Sequence, residues 1–354
     1  MADSYRSEQL KKRHAKLMEL NAKLPSYVND ALRRGPGANC QVSSLVNYAR
    51  DFYIFCEYLC ANNPLLEGVT PKNIPISFME KLTVDDIDEF LIASRSYTTP
   101  GGMIKDTSPS RLKAIKSSLS VIFSWLYAHD YIPKDPTAGS MTIRVKKEKM
   151  INTLEMREVK KLVNTVENSS LSTELKSKRA KKSAYRDTAI ILLFLNTGIR
   201  ISELVGLNLK DIDFDESCIY VTRKGGKPDQ VYFNDETAAA LMDYIQLERG
   251  TYVTEECEDA LFISAFHKRM AVRSVQEMIR KYSRETLPNK KKVTGHVFRK
   301  TYGSLLYEAS DLKNVQAVLG HESIVTTSTY YVNESKNRKK TSGRRNIYEE
   351  RKDR

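Results

Sequence analysis

Seven consecutive apolar residues, Ala189 to Leu195, constrain this chain more than any other stretch. A helix made of such a run has no polar side to offer water, so it must be covered all round. The run is far too short to cross a bilayer, which takes ~20 apolar residues. Asn196-Thr197-Gly198 then punctuates it, with the glycine ending the helix. A globular domain is therefore expected around this helix.

The rest of the chain supplies more than one such domain. At 354 residues it exceeds the usual single-domain size, and 41% hydrophobic with 29% charged residues is a normal globular mixture. The first fourteen residues are dominated by polar and charged side chains, so no secretory signal is expected and the protein should be soluble and cytoplasmic. Five cysteines, an odd number, point to reduced thiols rather than a disulfide framework. Cys56 and Cys60 lie one helical turn apart, but no second Cys or His pair completes a zinc site, so they read as helix packing.

Before the apolar run, the periodicity is helical. Residues 5–23 form a polar helix with a thin stripe of Leu10, Leu17, Leu20 and Leu24. A helix from about Val42 to Cys60 puts Leu45, Tyr48, Phe52, Phe55 and Leu59 on one face. Thr83, followed by Asp85 and Asp86, starts another. Ser108-Pro109 opens the clearest helix, with serine as N-cap and proline in the first turn. Thr99-Pro100-Gly101-Gly102 reads as a loop, so this half is expected to be an all-helical bundle. Beyond it, a helix begins near Thr153. Ser217–Thr222 and Gln230–Phe233 flank Gly225-Gly226 as a β-hairpin. Helices are expected at about 235–249 and 271–286, with a short strand at Leu261–Ser264 between them. The boundaries follow: an N-terminal helical extension at 1–23, a helical domain at 24–136, a basic linker at 137–150, a mixed domain at 151–334 and a charged tail at 335–354.

With 57 basic and 44 acidic side chains the net charge is +13, and the excess is uneven. Residues 176–182 (KSKRAKK) hold five basic groups and no acid, and Ser335–Arg354 carries a net +6. This favours a polyanion partner, although a solvated face explains charge alone about as well. Candidate DNA contacts are Arg111, Lys113 and Lys116 on the Ser108 helix, Lys146 and Lys147 in the linker, and Lys178 and Arg179 in the insert.

Three clusters in the second half hold potential phosphate ligands. Thr197-Gly198-Ile199-Arg200-Ile201-Ser202-Glu203 places an arginine where the next helix starts, with Glu203 three residues on to orient it. His296-Val297-Phe298-Arg299 puts an imidazole and a guanidinium on one helical face. Leu319-Gly320-His321 precedes Tyr330 by nine residues, counted from the histidine. Singly, each has a mundane reading. An arginine near a glutamate is usually a surface pair worth less than ~1 kcal/mol. His296 fits a satisfied core position, and Tyr330 is one of 19 tyrosines.

Together and in this order, they resemble the tyrosine recombinase (phage integrase) family over roughly residues 186–332. RDTAIILLFLNTGIRISELVGLNLKDIDF is similar to the family's first arginine block, TGHVFRKTYGSLL to the second, and VLGHESIVTTSTYY to the last. The resemblance carries catalytic roles onto Arg200, His296, Arg299, His321 and Tyr330, the nine-residue spacing selecting Tyr330 over Tyr331. The family's lysine lies in a hairpin turn, which VTRKGGKPDQVYF fits, and strand register favours Lys224 over Lys227. SPSRLKAIKSSLSVIFSWLYAHDYI resembles the helical core-binding domain more loosely. The fold implied is mainly α with a small β-sheet: a core-binding bundle and an α+β catalytic domain, closed on DNA as a C-shaped clamp.

The resemblance also implies a chemistry that suits these groups. Two guanidiniums each hold non-bridging phosphate oxygens through paired hydrogen bonds. Tyrosine, with a pKa near ~10, needs local help to attack. Tyr330 would bond to the 3′ phosphate, His296 would take part in its proton transfer, His321 would hydrogen-bond the phosphate, and Lys224 would protonate the 5′ oxygen. No cofactor or metal is implied. Partners would be double-stranded DNA sites, a second protomer on one site and four protomers on two, with strands exchanged through a Holliday junction, and in some systems a DNA-bending protein. Integration or excision of a mobile element is the role favoured by the chain's extra length. Xer-type dimer resolution, a type IB topoisomerase and a catalytically silent DNA-binding protein are the alternatives.

Overall fold

The computed structural model describes residues 3–35, 40–98, 102–145, 152–169, 171, 180–223, 226–290 and 292–309. The chain divides into two compact units between Lys147 and Glu148. Among the described residues no helix is long and apolar enough to cross a membrane. All five cysteines are free thiols.

The first unit is a helical bundle. Its helices are α1 (Asp3–Asn21), α2 (Ser26–Arg34), α3 (Val42–Asn62), α4 (Ile76–Met79), α5 (Val84–Ala93) and α6 (Pro109–Ala128). Local signals set their starts. Thr83 and Asp86 form a reciprocal capping box on α5, and Ser108 Oγ accepts the Arg111 N–H at 3.3 Å ahead of Pro109. Of the N-terminal leucine stripe, Leu17, Leu20 and Leu24 are buried in the bundle core, whereas Leu10 is exposed. At the centre Phe52 and Phe55 of α3 meet Phe123 of α6 and Phe90 of α5, with ring centroids 5.0–5.9 Å apart. One charge enters this core: Asp51, 1% exposed, accepts from Arg111 and from Ser118 Oγ at 2.7 Å.

Two features depart from an all-helical reading. Strands β1 (Ser96–Thr98) and β2 (Ile104–Asp106) pair antiparallel on either side of the expected loop. Every strand residue is exposed, so no apolar alternation marked the pair. The start of the expected linker also packs on this unit. Ser140 is buried, Met141 N–H donates to Asp88 at 2.8 Å, and Lys116 Nζ donates to the carbonyls of Ser140 and Met141 at 2.7 and 3.0 Å.

The second unit is built around the apolar run. Its elements are α7 (Met156–Glu167), α8 (Ala184–Thr197), α9 (Ile201–Leu204), β3 (Ile212–Asp213), β4 (Cys218–Thr222), β5 (Pro228–Tyr232), α10 (Asp235–Asp243), α11 (Val272–Thr286) and α12 (Gly295–Ala309). Helix α8 buries every residue from Ala189 to Leu195 and is covered by α7, α10 and α12. Its first turn is locked by Asp187, fully buried, which accepts from Arg186 at 2.7 Å, Tyr282 Oη at 2.9 Å and Lys281 at 3.2 Å. The sheet is antiparallel in the order β3-β4-β5, with Val221 opposite Asp229. The helix expected at 235–249 changes pitch, passing through a π turn at Tyr244–Glu248. The strand expected at Leu261–Ser264 is replaced by single bridges, Asn208 with Ala260 and Ile263 with Arg269.

Candidate active site

The site forms where α8 ends. Gly198 caps it with φ at +61°, a left-handed conformation that any side chain would strain, and its N–H returns to the Phe194 carbonyl at 3.0 Å. Thr197 Oγ1 bonds the Leu193 carbonyl and accepts the Ile199 N–H at 3.2 Å, making the turn rigid. The chain leaves this turn into Arg200, which caps α9 in extended conformation (φ −76°, ψ 145°). Glu203 folds back onto it. Its Oε2 accepts the Arg200 N–H at 2.9 Å and its Oε1 accepts Arg200 Nη1 at 2.8 Å. Glu203 thus contacts Arg200 at two points.

Helix α12 brings the second pair. Val297 and Phe298 are buried, with the Phe298 ring 5.8 Å from that of Phe194 on α8. This packing seats Arg299, 6% exposed, so that its Nη1 donates to the Gly198 carbonyl at 2.6 Å. His296, one turn earlier, lies at the surface. Partial loss of water holds its pKa below 6.5, and the positive charges of Arg299, Lys300 and Arg200 push the same way. Residues about a hundred positions apart therefore share one field: Arg200, Arg299 and a His296 kept neutral. Such a set can neutralise a phosphodiester and accept a proton.

A third arginine, not anticipated from the sequence, joins them. Arg223, 7% exposed at the end of β4, donates through Nη1 to Glu203 Oε2 at 3.0 Å and through Nε to Asp229 Oδ2 at 2.7 Å. The only signal available was an arginine at a strand end with an acid early in the next strand.

Lys224, His321 and Tyr330 lie outside the described residues, as do Lys146, Lys147, Lys178 and Arg179. Of the three proposed DNA contacts on α6, two are engaged within their own unit. Arg111 grips Asp51 and Lys116 holds the 140–141 carbonyls, whereas Lys113 is exposed. Among the described residues, no group of three or more His, Cys, Asp or Glu side chains is placed to hold a metal ion.

The sequence profile of the phage integrase family matches residues 152–338, which span α7 to α12 and every residue of this site. The chain belongs to the phage integrase family. It is a tyrosine site-specific recombinase by that membership, and its curated relatives are described as tyrosine recombinases. The tyrosine recombinase XerS of Streptococcus mutans is 30% identical over 341 residues, covering 89% of this chain and 94% of the relative. The tyrosine recombinase XerC of Caldanaerobacter subterraneus subsp. tengcongensis is 29% identical over 292 residues, covering 80% and 76%. Solved structures share the fold of this recombinase. XerH bound to a palindromic difH substrate superposes with a TM-score of 0.63 at 19% identity, covering 88% of this chain and 82% of that one. A lambda integrase dimer on a core site does so with a TM-score of 0.59 at 17% identity, covering 86% and 94%.

Proposed function

We propose that this recombinase cuts and rejoins double-stranded DNA through a covalent link to Tyr330. The observation that carries the reading is the 2.6 Å bond from Arg299 to the Gly198 carbonyl, which sets one guanidinium two residues from the other. Arg200 and Arg299 hold the non-bridging oxygens as charge builds on phosphorus; losing one such donor typically costs ~10²–10³ in rate. His296, neutral at pH 7, takes the tyrosine proton, and His321 hydrogen-bonds the phosphate. The Tyr330 O–P bond forms, the P–O5′ bond breaks, and Lys224 gives its proton to the departing 5′ oxygen. The phosphotyrosyl bond keeps the energy of the broken diester, so a 5′ hydroxyl from a partner strand reverses the step without ATP.

Two protomers on one site and four on two would exchange strands in pairs through a Holliday junction, with or without a DNA-bending partner. Xer-type resolution of chromosome or plasmid dimers is the role best supported. Extra length had favoured a mobile element, but the XerS relative aligns over 94% of its own length with 89% of this chain, so length does not set the two apart.

The test is a nicked duplex from the DNA flanking the gene, designed so that the released 5′ end diffuses away. Denaturing electrophoresis should show a protein–DNA adduct with wild type and Tyr331→Phe, and none with Tyr330→Phe. Loss only with Tyr331→Phe moves the nucleophile by one residue. No adduct from wild type on a site it binds leaves a silent DNA-binding protein.

A further inference from the structure

The Arg223 side chain spans two elements that no backbone bond joins. Its Nη1 reaches Glu203 in α9 at 3.0 Å, and its Nε reaches Asp229 in β5 at 2.7 Å. The backbone of the same residue closes the β4–β5 turn: its N–H donates to the Lys227 carbonyl at 2.8 Å, and its carbonyl accepts the Gly226 N–H at 3.0 Å. Hairpin turns are ordinarily among the more mobile parts of a fold. Here the residues that flank the turn bond to one another, and the buried Arg223 side chain reaches the residue that contacts Arg200. Lysine in place of Arg223 could not do this, because one ammonium lacks the planar fork that serves two carboxylates at fixed angles. Lys224 is the next residue in the chain.

We infer that Arg223 is a positioning residue, which ties the hairpin turn to the Arg200–Glu203 pair and so delivers Lys224 to the departing 5′ oxygen. This rests on Lys224 being the general acid. The step served is proton transfer: the P–O5′ bond breaks as the Lys224 ammonium gives its proton to that oxygen. A leaving group that needs no proton should make the brace dispensable.

The experiment compares two nicked duplexes, one ordinary and one with sulfur replacing the 5′ bridging oxygen of the scissile bond, which leaves as a thiolate. Wild type, Lys224→Ala, Arg223→Met and Asp229→Asn are assayed for adduct formation, with DNA affinity and thermal unfolding measured alongside. Arg223→Met should form adduct about 10²-fold more slowly on the oxygen substrate, the size of a lost general acid, and near the wild-type rate on the sulfur one. Asp229→Asn alters a side chain that is 37% exposed and keeps its size, so it should disturb folding less and show the same selectivity more weakly. Equal slowing of Arg223→Met on both substrates, with Lys224→Ala selectively rescued by sulfur, overturns the brace alone. Should Arg223→Met fail to fold, Asp229→Asn with no preference for sulfur overturns it. Lys224→Ala with no preference for sulfur overturns the general-acid reading beneath it.

Discussion

Arg223 donates to Glu203 at 3.0 Å, onto the same carboxylate that Arg200 holds at 2.8 Å. Glu203 is 5% exposed, so its charge is balanced mainly by these two cations rather than by water. Neutralising it should misplace Arg200 without removing it. Glu203→Gln offers an amide N–H₂ to one of two guanidiniums, a donor facing a donor. Adduct formation should slow by roughly 10²-fold, the cost of a small misplacement. DNA affinity, measured by gel shift, should not fall, because a negative charge has been removed from the site. A parallel loss of affinity would mean that Glu203 supports the fold rather than the arginine.

His296 makes a prediction about pH. Its pKa is held below 6.5 in the folded protein, by partial burial first and by Arg299, Lys300 and Arg200 next. The neutral ring is therefore the favoured form, and its contribution to stability is complete above the unfolded value near 6.5 and lost as pH falls through the folded pKa. The cleavage rate should decline as pH falls through the folded pKa, at a lower pH than an unperturbed imidazole would give. NMR titration of the ring in the DNA-free protein should give a midpoint under 6.5. A midpoint above 6.5 would mean that an acidic group, and not Arg299, Lys300 and Arg200, dominates the field at the ring.

Gly198→Ala tests the turn that joins the two arginines. The φ of +61° costs an alanine about 1–2 kcal/mol, visible as a lowered midpoint of denaturant unfolding. Because the Gly198 carbonyl also receives Arg299, cleavage should fall by more than the stability loss explains. An alanine variant as active as wild type would free Arg299 from that carbonyl.

In the first unit, Arg111 and Lys113 should behave oppositely. Arg111→Met leaves Asp51 buried with Ser118 as its partner and should destabilise the protein by about 2 kcal/mol. That is below the ~3–5 kcal/mol of a fully enclosed pair, because the Arg111 side chain is 40% exposed. Lys113→Ala should leave unfolding unchanged and, if the lysine meets a phosphate, lower the salt dependence of DNA binding by about one ion. Salt titrations of affinity, paired with chemical denaturation, separate the two.

What this sequence determined by itself was local or ordered along the chain. Ser108-Pro109 and the Thr83–Asp86 pair start their helices because a cap needs only neighbours within one turn. The all-apolar stretch at 189–195 had to be buried, and the succession of Arg200, His296 and Arg299 was recognisable because order survives where spacing does not. What only tertiary structure decided was every contact between distant segments. Nothing near Arg111 in the sequence announced that α3 would place Asp51, sixty residues earlier, as its partner. The exposed β1–β2 pair left no periodic trace, since neither face is buried. Arg223 read as one more basic residue in a basic chain, and its role required the hairpin register and α9 together. The physical reason is shared: a cap or a stripe is written in adjacent side chains, whereas an ion pair across elements depends on packing that brings both partners out of water at one point.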